Sequence, residues 1–229
     1  MKKIYNIYFP ALLVAAAICA GSCVKTDYGY PQDLATPTPN QATNYINETF
    51  DELAKVNGQI LFPPPRWRSF ALAGIRTFQT GVLAKDGGGV VRGVMGSGYL
   101  SRDTVNDFWL MTPPLDVSDS TATLTFQTGL TYEAATTTFT LMYSETYRGG
   151  KEAINPNEWK ELPFVTPPTT SGAVKMYAQG PISLWGKGGD RKVAYVAFRY
   201  RSKVSLEDIA SDNADRANYY LDNVVFRRK

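Results

Sequence analysis

The chain of 229 residues contains no histidine, and its two cysteines, Cys19 and Cys23, both lie near the amino terminus. Nucleophilic sites that need an imidazole base are excluded on composition, and so are zinc sites of the usual histidine-rich kind. Carboxylates remain. Glu145, Glu152, Glu158, Glu161, Glu207 and Asp208 could supply the pair that glycoside hydrolysis requires, but none falls in the Glu-x-Asp-x-x-Glu strand pattern of sandwich glycanases, and Glu48, Asp51 and Glu52 are misspaced for it. Gly180 to Gly186-Lys187 has one residue too many for a phosphate loop, and Gly188 stands where the magnesium-binding hydroxyl belongs. Aromatics are the better lead. Among the four tryptophans, Trp185 precedes Gly186-Lys187-Gly188-Gly189, and Trp67 lies between Arg66 and Arg68 after Pro63-Pro64-Pro65. Both read as loop-borne rings able to stack on a flat sugar face, or else as aromatics that close the fold. Trp109 lies among apolar strand residues and is expected in the core; Trp159 is expected to cover a sheet end.

The elements that must position these rings are strands. Ala122, Leu124 and Phe126 alternate with Thr121, Thr123, Thr125 and Gln127, and Phe139, Leu141 and Tyr143 alternate with Thr140 and Ser144. Ala194, Val196, Phe198 and Tyr200 share one face of a third run, and Tyr219 to Arg227 forms a last one. Period-two alternation is the mark of half-buried strands. Asp86-Gly87-Gly88-Gly89, Pro113-Pro114, Gly149-Gly150, Pro167-Pro168 and Gly188-Gly189-Asp190 punctuate them as turns. Leu206 to Asn218 has the composition of a short surface helix or a loop. The expectation is an all-β fold, a single two-sheet antiparallel sandwich over residues 45–229, long enough to bury about 70% of its unfolded surface.

Ahead of that domain, Lys2 and Lys3 form a positive start, Ala11 to Ala20 a short apolar run, and Ala20-Gly21-Ser22 a small-residue stretch before Cys23. This is the layout of a secretory signal. The apolar run is about half the 20 residues a membrane span needs. The small residues before Cys23 resemble the lipobox of bacterial lipoproteins, which implies a signal peptide over 1–22, lipidation of Cys23 and a Pro-rich tether over 23–44. An uncleaved anchor or a plain secretory signal cut near Ala20 are the alternatives. Two acyl chains suffice for stable anchoring, so membrane contact through the lipid alone is expected, at the outer membrane. Loss of Lys2 and Lys3 lowers the formal charge from +3 to +1, which leaves no basic surplus for nucleic acid.

Seven local signatures occur in order: Asn47-Glu48-Thr49-Phe50-Asp51, Phe108-Trp109-Leu110-Met111-Thr112-Pro113-Pro114, the Thr121–Gln127 run, Leu141-Met142-Tyr143-Ser144, Asn157-Glu158-Trp159, Val196-Ala197-Phe198-Arg199-Tyr200 and Leu221-Asp222-Asn223-Val224. This order resembles the choice-of-anchor J and cleaved-adhesin group of jelly-roll domains. The resemblance implies a galactose-binding or adhesin-like jelly roll that is non-catalytic and acts in adhesion or glycan capture. It also implies a structural calcium between the first and last strands, held by Glu48 and Asp222 with Asp51 nearby. Calcium wants six to eight oxygen ligands, and the same acids also read as ordinary strand-end residues. The functional expectation is a binding module for a glycan or a surface protein, with Trp185 and Trp67 as ligand contacts. A structural lipoprotein docking to an outer-membrane complex and a carboxylate-dependent glycosidase are the alternatives.

Overall fold

The computed structural model describes residues 41–51, 53, 55–56, 59–60, 62–84, 90–99, 101, 103–132, 135–207 and 217–229. The signal segment, Cys23 and nearly all of the tether lie outside these residues. Among the described residues the first to pair is Thr43, which bridges in parallel to Leu115, two residues ahead of the expected domain start.

The strands are β1 (Tyr45–Glu48), β2 (Lys55–Val56), β3 (Gln59–Ile60), β4 (Arg68–Ala73), β5 (Gln79–Ala84), β6 (Val90–Ser97), β7 (Val105–Met111), β8 (Leu115–Asp116), β9 (Thr123–Thr131), β10 (Thr137–Ser144), β11 (Lys160–Leu162), β12 (Thr169–Thr170), β13 (Tyr177–Ser183), β14 (Val193–Lys203) and β15 (Asn218–Arg227). One seven-stranded sheet runs β12-β9-β15-β6-β5, with β1 also on β15 and β13 also on β9. The other, six-stranded, runs β11-β10-β14-β7-β4, with β8 on the start of β14. The pairings are antiparallel except for β12, which lies parallel to β9. Long-range neighbours such as β10 beside β14 and β9 beside β15 make this a two-layer sandwich.

Alternation explains the layering. Ala122, Leu124 and Phe126 from one sheet and Leu141, Val196, Phe198 and Tyr200 from the other are buried in a shared core, where Phe126 meets Phe198 edge-on at 5.2 Å. Beyond Gln127, β9 is buried on both faces, because 174–176 crosses over it: a Cβ on Gly129 would lie 2.6 Å from Val174. Only Leu206 and Glu207 of the expected helix-or-loop segment are described as helical; residues 208–216 lie outside the described set.

At one end of the sandwich a buried polar network locks the β6–β7 connection in place. The Gly98 amide donates to the Tyr200 hydroxyl (2.8 Å), and the Asn106 amide nitrogen donates to Ser101 and Ser202 hydroxyls (3.0 and 3.2 Å). The opposite end gathers the first paired residue and the chain's last ones. Arg228 there pairs with Asp116 (3.0 Å) and Asp119 (3.6 Å), and the Lys229 amide donates to Thr121.

Candidate functional site

The end that holds Arg228 also carries the connection from β13 to β14. Leu184 is sealed in the core and its amide donates to the Ala122 carbonyl at 3.0 Å. The chain then leaves the sheets, and Trp185 is 53% exposed. The loop is pinned at its base. The Lys160 ammonium donates to the Lys187 carbonyl (2.9 Å), and the Arg191 guanidinium donates to the Glu145 carbonyl (3.1 Å). Gly188 lies so close that a Cβ there would sit 2.2 Å from the Glu145 carboxyl carbon. Glu145 in turn accepts the Tyr143 hydroxyl at 2.7 Å. Burial and that carboxylate together push the Tyr143 phenol far above its ordinary range, so it remains a donor at any working pH. The result is an exposed indole on a loop held by Lys160 of β11 and by Glu145, the first residue after β10. This arrangement favours stacking on a flat ligand, since little ordering entropy is left to lose on binding.

Trp67 is different, and the expectation of a binding role for it is corrected. It is 4% exposed and packs edge-on against Phe50 at 5.5 Å. The Trp67 amide donates to the Pro64 carbonyl, closing a turn with Arg66 at φ 71°, and that turn swings the ring inward. Alternation then sets Arg68 and Phe70 on the outer face of the six-stranded sheet, so Trp67 must face the inter-sheet core.

That outer face carries a layer the sequence pattern did not reveal. The 145–159 excursion folds back over it, burying Phe70, Trp109, Met111, Met142, Tyr147, Ile154, Trp159, Tyr195 and Ala197 together. Trp109 and Trp159 meet at 5.2 Å, so Trp109 is buried outside the inter-sheet core, and Trp159 covers a sheet face instead of a sheet end. Beside them Asp107 accepts the Trp109 indole N–H (2.9 Å) and both Nε and Nη2 of Arg199 (2.9 and 2.6 Å), while the Arg199 guanidinium stacks on the Trp109 ring at 4.8 Å. The i, i+2 spacing of Asp107 and Trp109 placed both on one strand face. Their partner Arg199 is about ninety residues away and carried no local signal.

The acids implied as calcium ligands sit where β1 ends beside the β15 irregularity. Glu48 pairs in register with Val224, and its Oε1 accepts the Phe50 amide at 2.9 Å, with Phe50 at φ 55°. Asp222 is 3% exposed and accepts the Asn223 amide (2.7 Å) and side-chain amide (3.1 Å). Burial, then the charges of Asp51 and Glu48, hold its carboxyl up at about 6. Burial likewise raises Glu48. The three acids therefore share an electrostatic neighbourhood. Among the described residues no three acidic, histidine or cysteine side chains are gathered closely enough to hold a metal, so a cation here would need backbone or amide oxygens as well.

A raised Asp222 has a consequence for stability. Between its unfolded value near 3.8 and its folded value of about 6, the folded state binds more protons than the unfolded state. The cost of carrying this carboxylate is thus fully present above pH 6 and disappears as pH falls toward 4. Without added cation, Asp222→Asn is expected to exceed the wild type in stability at pH 8 by on the order of 2 kcal/mol. The gap should close between pH 6 and 4, as read from urea denaturation at each pH. A constant gap would show that Asp222 is not strained.

No protein-family model matches the chain, and no curated protein matches it. Some solved structures are loosely similar to it. The chain is similar to the K1 cleaved adhesin domain of Lys-gingipain from Porphyromonas gingivalis W83, at 14% identity and a TM-score of 0.47 over 82% of this chain and 99% of that one. It is also similar to the K3 cleaved adhesin domain of the same protein, at 18% identity and a TM-score of 0.43 over 80% of this chain and 97% of that one. A third is the CBM22-2 xylan-binding domain of Paenibacillus barcinonensis Xyn10C, at 13% identity and a TM-score of 0.41 over 80% of this chain and 99% of that one. The all-β, two-sheet assignment for this protein stands on its own strand pairings.

Proposed function

We propose that this protein is a lipid-anchored, extracytoplasmic binding module that takes carbohydrate at the Trp185 loop. The observation that carries this reading is Trp185 itself, an exposed indole on a loop pinned through Lys160, Arg191 and Glu145. A ring held in place and open to solvent offers the apolar face that sugar C–H groups stack on. Lipid attachment at Cys23, with the tether lifting the domain from the outer membrane, belongs to the same reading and rests on the small residues before Cys23.

A polysaccharide array followed by calorimetry tests it. Trp185→Ala is expected to weaken the best ligand at least tenfold, as loss of an aromatic anchor does. Stability should stay within about 0.5 kcal/mol, as for other exposed positions. Binding that survives this substitution would remove the site.

Calcium is proposed alongside, near Glu48, Asp51 and Asp222. Hard oxygen donors suit it, and its charge would offset the burial, and after it the repulsion from Asp51 and Glu48, that raise Asp222. Millimolar calcium is then expected to raise the melting temperature of the wild type and to leave Asp222→Asn nearly unmoved.

A second reading is docking to a partner protein of an outer-membrane complex. It is favoured by Ile75 (74% exposed), Val105 (40%) and Leu206 (73%), which lie at the end of the sandwich opposite Trp185. Failure on every polysaccharide, with a specific protein co-purifying from detergent-solubilised envelopes, would favour it.

A further inference from the structure

Four exposed cations stand around the base of the Trp185 loop: Arg148, Lys160, Lys187 and Arg191. Three of them spend a donor on a backbone carbonyl. Lys160 bonds to the Lys187 carbonyl (2.9 Å), and Arg148 and Arg191 both bond to the Glu145 carbonyl (3.3 and 3.1 Å). Among the described residues the ion pairs within 4.0 Å join Asp107 to Arg199 and Arg201, and Asp116 and Asp119 to Arg228. None involves the four cations. Glu145 lies between them but turns its Oε1 to the Tyr143 hydroxyl, with Gly188 pressed against its carboxyl group. The side chains therefore hold their positive charge toward solvent, and each guanidinium keeps further N–H donors for an oxyanion.

This end of the molecule thus sets an exposed indole beside unpaired cations. Resting on the reading of Trp185 as a sugar platform, we propose that the ligand is an anionic polysaccharide. Its carboxylate or sulfate groups are taken by Lys187, Arg191, Lys160 and Arg148 while a sugar ring stacks on Trp185. A flat anionic lipid surface fits less well. Glu161 and Asp190 are exposed at the same end and would repel a continuous negative sheet, whereas a polymer with spaced charges passes between them. A membrane-seated face also needs a broad apolar strip, and among the described residues the large apolar side chains exposed at this end are Trp185 and Tyr45.

The test uses the purified protein with polygalacturonate as the uronate probe, heparin as the sulfate probe, a neutral β-glucan, and phosphatidylglycerol vesicles. One or both acidic polymers should bind, with affinity falling steeply as salt rises, because binding releases counterions from a polyanion. The double variant Lys187→Gln/Arg191→Gln is expected to bind the acidic polymer about tenfold to a hundredfold more weakly, the loss of two charge-assisted contacts, and to show a shallower salt dependence. Both side chains are exposed and the Lys187 carbonyl that accepts from Lys160 is retained. Because Arg191 also pins the loop, Lys187→Gln alone, which leaves every pinning contact in place, should show the same weaker binding and shallower salt dependence to a lesser degree with an unchanged melting temperature. Neutral glucan bound as tightly as the acidic polymers and without salt dependence would overturn the anionic ligand and leave the Trp185 reading standing. So would a double variant that binds like the wild type while Trp185→Ala does not. Binding to vesicles alone, or to none of the probes, would overturn the anionic ligand, and the Trp185 reading would then stand or fall on the polysaccharide array.

Discussion

Trp67→Ala is expected to cost about 3–5 kcal/mol, the range for removing a buried tryptophan. The ring is 4% exposed and lies in the core between the sheets, edge-on to Phe50. Phe50 occupies the turn after β1, so the loss is felt where β1 joins β15. That cost is a large share of a typical domain's 5–15 kcal/mol. The same substitution at Trp185 should leave stability nearly unchanged. Urea midpoints of the two variants, measured side by side, check both statements. Equal midpoints would mean that the two rings have similar surroundings, and the assignment of one to the core and the other to the ligand would fail.

Asp107→Ala is expected to cost about 3 kcal/mol, because it strands two groups at once. The Arg199 guanidinium and the Trp109 indole N–H both donate to Asp107, and the side chains of Asp107 and Arg199 are each 13% exposed. Removing one member of a buried pair leaves an uncompensated charge, whereas replacing both members by apolar residues of similar volume is often neutral. Asp107→Leu/Arg199→Met should therefore recover the part of the loss that comes from stranding Arg199, while the Trp109 indole N–H stays without its acceptor. If the double variant is as unstable as the single one, the charge imbalance is not the cause. If Asp107→Ala costs less than 1 kcal/mol, the pair behaves as a solvated surface bridge.

Both expectations concern residues whose surroundings differ from what their neighbours in sequence suggested. Arg66 and Arg68 made Trp67 look like a loop residue. Arg66, though, lies in the turn and Arg68 opens β4 on the outer face, so the residue before Arg68 is directed to the other face, into the core. Trp185 has the same kind of polar surroundings, and there the backbone has left the sheet, so the ring stays in solvent. The strand runs themselves were legible: Ala122, Leu124 and Phe126 are buried while Thr121, Thr123 and Thr125 are not. The boundary of β9 was not, because the burial of both its faces beyond Gln127 comes from residues 174–176 crossing over Gly129.

The sequence by itself determined the chemistry that is out of reach, through the absence of histidine, and it determined the all-β class through residue alternation along the chain. Both depend on composition or on near neighbours. The tertiary structure decided which tryptophans reach solvent, that a second apolar layer covers the outer face of the six-stranded sheet, and that Arg148, Lys160, Lys187 and Arg191 converge on one loop. These depend on sheet order, which brings β10, β11 and the β13–β14 connection together across tens of residues. Sheet order is settled by the joint burial of many side chains, and no local stretch of sequence encodes it.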